Sequence, residues 1–372
     1  MFTPQSLSPL SRLLTSLLAA AAVLTLGSVA LADGYLQTNM VSDGTAPLTI
    51  TDANSKNPWG IAFGPSTPFW VADNNAGVST LYNSVGEPLP LVVTIPPPMG
   101  QTGMATPDGI VFNGTSDFAV TSNGKTGTPL FIFATEDGTI SGWAPSVNGH
   151  NAILAVDQSQ QQTVYKGLAI ARNGKANFLY ATDFRHNLVD VFNSGYTMVN
   201  SFTDTTLPAG YAPFGIQTVS NFLVVTFAEQ DQFAHDPVHG AGLGFVDLFT
   251  TSGRMVRRIA SQGVLNAPWG VAVAPPKGFG EFGGDLLIGN FGDGTIWAFN
   301  LFGGNGSTLG VLSDTKGKPI VNDGLWAIKF GNGNGAGLMD VLYFTAGPNG
   351  ESNGLFGQIQ STPDTDGDGD GA

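Results

Sequence analysis

Pro58-Trp59-Gly60-Ile61-Ala62-Phe63 is the first of six copies of one phrase. It returns as Pro107-Asp108-Gly109-Ile110-Val111-Phe112, Tyr165-Lys166-Gly167-Leu168-Ala169-Ile170 and Pro213-Phe214-Gly215-Ile216. The fifth copy is Pro268-Trp269-Gly270-Val271-Ala272-Val273, and the sixth is Leu325-Trp326-Ala327-Ile328-Lys329-Phe330, with alanine in place of the glycine. Successive Gly (or Ala) positions lie 49, 58, 48, 55 and 57 residues apart. A second β-rich phrase follows each first one, as in Phe69-Trp70-Val71-Ala72-Asp73, Leu179-Tyr180-Ala181-Thr182-Asp183 and Leu286-Leu287-Ile288-Gly289-Asn290. A third run alternates after a turn, as in Asp137-Gly138-Thr139-Ile140-Ser141-Gly142-Trp143 and Asp293-Gly294-Thr295-Ile296-Trp297. Asp-Gly between such runs signals a hairpin. A fourth run closes the unit, as in Leu91-Val92-Val93-Thr94.

Four short strands cannot bury both faces of a sheet alone, so the units must stack, and the radial solution is a β-propeller. The sequence therefore predicts an all-β fold: a six-bladed β-propeller of four-stranded antiparallel blades. The repeat glycine is expected where the innermost strands crowd the axis. The last unit ends at Gly354-Leu355-Phe356-Gly357-Gln358-Ile359, one strand short, and the segment from Leu36 to Val41 is expected to complete it.

Composition narrows the function classes. The chain has 372 residues, no cysteine, 51 glycines, 25 phenylalanines and a net charge of −14. Without cysteine there are no disulfides, thiolate metal sites or cysteine nucleophiles. So acidic a chain has no basic surface to neutralise phosphates, which excludes nucleic acid as a partner. Residues 1–32 carry Arg12, no acid, and an apolar run ending in Ala30-Leu31-Ala32. That pattern is a secretory signal cut before Asp33. The expected organisation is a signal peptide at 1–32, one propeller domain at 33–360 and an acidic Asp/Gly tail at 361–372. The mature chain is expected to be secreted or extracytoplasmic (periplasmic or extracellular), monomeric, and not membrane-spanning once the signal is cut.

The phrase Trp70-Val71-Ala72-Asp73-Asn74-Asn75-Ala76-Gly77-Val78 resembles the repeat of NHL-type propellers. More broadly, residues 36–359 resemble a family of exported six-bladed propeller proteins of bacteria and fungi. The resemblance runs through Asn57-Pro58-Trp59-Gly60, Tyr180-Ala181-Thr182-Asp183-Phe184-Arg185, Gly289-Asn290-Phe291-Gly292-Asp293-Gly294 and Phe344-Thr345-Ala346-Gly347-Pro348. It implies a fold and a compartment and brings no reaction with it.

Aligning the repeats puts Asp73, Glu136, Asp183 and Asn290 at one position, with Phe227 and Ala346 in the other two units. Carboxylates and an amide converging on an axis suit a hard cation such as Ca²⁺. Gluconolactonase-like and paraoxonase-like propellers are similar in holding an axial metal and hydrolysing lactones or esters. The other reading is structural, with each side chain bonding the turn beside it. His235 and His239 sit in an insertion of the fourth unit, beside Asp236, and are secondary metal candidates. Asp364-Thr365-Asp366-Gly367-Asp368 is half of a calcium loop without its late glutamate. No catalytic residue is assigned, since Gly-x-Ser-x-Gly, Walker and dinucleotide motifs are all missing from the sequence. Two functions remain: a binding or scaffold propeller for a small molecule, glycan or protein at its face, or a Ca-dependent lactonase-like or esterase-like hydrolase.

Overall fold

Residues 34–303 and 307–362 are described in a computed structural model of the chain. The signal reading at 1–32 and the Asp/Gly run at 364–371 lie outside them. Six antiparallel sheets surround one axis and form a six-bladed β-propeller. Blade one comprises Pro58–Ala62, Phe69–Asp73, Val78–Tyr82 and Val93–Thr94. The inner strands of the next four are Pro107–Phe112, Tyr165–Asn173, Tyr211–Val219 and Pro268–Val273. Blade six contains Leu325–Phe330, Leu342–Ala346 and Leu355–Ser361. The helical elements among the described residues are three single 3₁₀ turns.

Blade six takes its outer strand from the start of the described chain. Tyr35–Ser42 runs antiparallel to Leu355–Ser361, with Tyr35 opposite Ser361 and Ser42 opposite Leu355. The strand predicted near Leu36 to Val41 thus closes the ring. Ile50–Thr51 adds a fifth, parallel strand outside it. At the end of the ladder the backbone N–H of Thr362 donates to the carbonyl of Gly34 at 2.9 Å.

Each inner strand departs from regular pairing at the first phrase. Five of the shifts fall between Pro58 and Ile61, Tyr165 and Leu168, Pro213 and Ile216, Pro268 and Gly270, and Leu325 and Ile328. In blade two the extra residue lies between Pro107 and Ile110, opposite Thr135 and Phe133. Such a bulge re-aims a side chain, here the residue before the repeat glycine. The glycine lets the strand press on the next blade. A Cβ on Gly60 would lie 2.5 Å from the carbonyl oxygen of Asp108, and one on Gly270 2.6 Å from that of Trp326. A threonine of the second strand braces this approach in two blades: Thr182 donates to the carbonyl of Phe214 at 2.7 Å, and Thr345 to that of Trp59. The Asp137-Gly138 hairpin forms as read, with Gly138 at φ +77°.

Candidate functional site

The side chains before the repeat glycines are Trp59, Asp108, Lys166, Phe214, Trp269 and Trp326. The aromatic members plug the axis. Trp59 stacks on Trp326 at 3.5 Å, Phe291 stacks on the other side of the cluster at 4.0 Å from Trp326, and Trp269 meets both tryptophans edge-on. Burial of these rings leaves an upper and a lower mouth, the upper one lying where the inner strands begin.

The upper mouth holds an ionic cluster. Lys166 is fully buried and lies 5.2 Å from the Trp59 ring centre. Its ammonium donates to Glu136 and, at 3.1 Å, to Asp236. Burial pulls its pKa down, but the two carboxylates outweigh burial and hold it above the ordinary lysine value. Glu136 also accepts from Asn74 Nδ2 at 2.9 Å. Asp108, fully buried, is pushed well above the usual carboxyl range by burial and by the charge of Glu136. Its Oδ2 and the indole N–H of Trp59 have no hydrogen-bond partner. The fourth-unit insertion arches over this cluster. Gln230 Nε2 donates to the carbonyl of Phe184 at 2.5 Å, and Arg185 donates to that of Phe233 at 3.2 Å.

Strand register corrects the repeat alignment at Glu136. Asp73 pairs with Pro58, Asp183 with Tyr165 and Asn290 with Pro268, whereas the residue opposite Pro107 is Thr135. A one-residue offset turns a side chain to the other face of a strand. Glu136 therefore sits in the column of Asn74, Phe184, Ala228, Phe291 and Gly347, and Phe184, Ala228 and Phe291 are axial core. The other three predicted ligands are held locally. Asp73 accepts from Thr80 N and Oγ1 at 3.2 and 2.7 Å. Asp183 faces His186 Nδ1 at 2.7 Å and accepts from Thr163 at 3.3 Å. Asn290 donates to the carbonyl of Val264 at 2.8 Å and accepts from Asn266 N at 3.1 Å. No hydrogen bond or ion pair joins these three to one another or to Glu136.

Among the described residues, one group of three His, Asp or Glu side chains brings its ligand atoms within 4.8 Å: Glu136, His235 and Asp236. It unites two predicted ligands with Asp236, which the sequence reading noted only as a neighbour of the histidines. His235 Nδ1 lies 2.9 Å from Asp236 Oδ1, and that bond raises the histidine pKa and lowers that of the acid. His239 stays apart, its ring edge-on to Phe291 at 4.9 Å, with a pKa lowered by burial. The Lys166 ammonium already serves both carboxylates as their cation. A divalent ion there would face a fixed, buried positive charge.

The lower mouth has the opposite character. Three cavities, of about 480, 240 and 40 Å³, share Gln217 and Lys329 in their walls. The largest opens between blades four and five, against Val219, Phe222, Leu248, Val271 and Phe330. The 240 Å³ cavity lies on the other side of Lys329, against Phe63, Phe112 and Ile170. Lys329 is half-buried, with its ammonium 5.4 Å from the Phe63 ring centre. Its ammonium makes no hydrogen bond or ion pair with the described residues, and desolvation draws its pKa down to about 8. The other five repeats put Ala62, Val111, Ala169, Gln217 and Ala272 at its position. A lone cation in an otherwise uncharged repeat column was the available sequence signal. For the upper cluster the signal was an acid and a base, Asp108 and Lys166, at one position of neighbouring repeats.

No family model matches the chain. "Uncharacterized protein R648" of Acanthamoeba polyphaga mimivirus is 32% identical over 333 residues, which cover 86% of this chain and 78% of that protein. "Uncharacterized protein L690" of the same virus is 31% identical over 332 residues, covering 86% and 84%. A streptogramin B lyase structure superposes with a TM-score of 0.52 at 12% identity, covering 90% of this chain and all of that one. The soluble aldose sugar dehydrogenase of Escherichia coli gives 0.53 at 12% identity, covering 88% and 99%. At such identities the likeness to both enzymes is one of fold.

Proposed function

We propose a binding function for this chain, which belongs to the same family as the mimivirus proteins R648 and L690. It is an exported propeller that takes a small molecule at its lower axial mouth. One observation carries this reading: three cavities converge on Gln217 and Lys329, and the largest, about 480 Å³, lies within the size range of small-molecule sites. Mostly apolar walls with a few convergent polar groups are what such sites share. Export is supported by the apolar run and the Ala30-Leu31-Ala32 triplet. Glu136, His235 and Asp236 are the residues a Ca-dependent hydrolase would draw on, and the ammonium bonded to both carboxylates counts against that reading.

The test fills the cavity. Val273 lines it and is 37% exposed, so Val273→Trp adds bulk without entering the core. Uptake of the neutral dye N-phenyl-1-naphthylamine, read by fluorescence, is expected in the natural protein and lost in the variant at unchanged melting temperature. Dye uptake that ignores the substitution, or no uptake by the natural protein, overturns the reading.

A further inference from the structure

Resting on that binding site, we propose that its ligand is an anionic amphiphile, with a carboxylate head group on the Lys329 ammonium and an apolar body along the cleft between blades four and five. The argument begins with what Lys329 lacks. An ammonium offers three donors and no acceptor, and one drawn partly out of water is stabilised by an anion or acceptor beside it. Here its ammonium faces the ring of Phe63, which attracts a cation without accepting a directed bond from it. The amine is thus left without a carboxylate or a hydrogen-bond acceptor from the protein itself.

The cavity supplies the rest of the specification. Asp285 is the other charged residue in the 480 Å³ wall and forms no ion pair with Lys329. The wall carries Val271, Leu248, Phe222 and Val219, a surface that favours a hydrocarbon or flat apolar body, beside the polar side chains of Gln217, Thr218, Ser220 and Asn300. A small free anion would have only one charge contact to set against the field of a chain whose net charge is −14. The apolar body is what makes binding favourable, and the head group fixes its orientation.

Titration calorimetry on the full chain with three decyl compounds below their micelle concentrations tests this. The probes are decanoate, decanol and decyltrimethylammonium. Decanoate is expected to bind at least tenfold more tightly than either of the others. Lys329→Met should erase that preference, weakening decanoate tenfold or more and leaving decanol unchanged, and Lys329→Arg should restore it. If decanol and decanoate bind the natural protein alike, or Lys329→Met leaves decanoate affinity intact, the anionic head group is wrong while the cavity stands. Preference for decyltrimethylammonium overturns it in favour of Asp285. If none of the three binds, this proposal and the binding reading fall together, and the dye test fails with them. Should Lys329→Met not fold, Lys329→Gln and the head-group comparison on the natural protein decide.

Discussion

Lys166 is the cation that Glu136 and Asp236 share. Its ammonium is buried on the axis and holds Glu136 and Asp236. Breaking a buried ion pair by removing one partner typically costs about 3–5 kcal/mol, so Lys166→Met is expected to lose stability of that order in urea denaturation. The freed carboxylates should then make melting rise with millimolar Ca²⁺, a response expected to be absent from the natural protein; equal melting in calcium and chelator for the variant would contradict this. Because the folded pKa of Lys166 is raised, its contribution is complete below the unfolded value near 10.5 and fades as pH climbs through the folded one. Asp190 acts in the same direction at lower pH. Burial, with Asp183 nearby, lifts its pKa to about 6 from 3.8, and Tyr165 donates to it at 3.2 Å. The folded state binds the extra proton between those values, so stability falls by roughly 2–3 kcal/mol as pH rises through that window. Asp190→Asn should remove that fall, checked by comparing urea midpoints of the two proteins at pH 3.5 and 7.5. None of this was readable at the level of single residues. Sequence spacing found the column of Asp73, Asp183 and Asn290 but misplaced Glu136 by one, since a hairpin of unequal turn length hides which residue ends the strand.

At the level of strands, much more was legible, and for a physical reason. The two recurring phrases correspond to the inner and second strands, whose faces are both buried and whose composition is therefore tightly constrained. Outer strands are freer: Val93–Thr94 is only two residues long among prolines, and the exposed hairpin Val120–Ser122 with Lys125–Gly127 went unread despite its Asn123-Gly124 turn. The bulge in each blade could not be inferred, because it depends on contact with the next blade. That contact gives a test. Gly270→Ala must move the Trp326 carbonyl of the following blade, and overpacking of this kind costs about 1–3 kcal/mol. The loss should appear as a lower denaturation midpoint with unchanged circular dichroism; a neutral result would mean that the blades are not pressed together as described.

The whole ring depends on one non-local strand. Removing residues 34–45 leaves Leu355–Ser361 as an open edge and blade six without its outer strand. Scanning calorimetry should then show the entire transition moved to lower temperature rather than a small separate melting of one blade. The six-fold count and the closing segment were both readable, since an incomplete final unit demands a partner from elsewhere in the chain. The geometry of that closure has a mechanical consequence. Gly34 and Thr362 are hydrogen-bonded neighbours at one end of an antiparallel ladder. Tension applied between them pulls across the rungs, so it peels them one after another instead of loading them all in shear. A molecule that resists heat as a single closed body should therefore come apart under a small force applied at these two residues, opening like a zip, while the same force applied between residues on opposite blades leaves it whole.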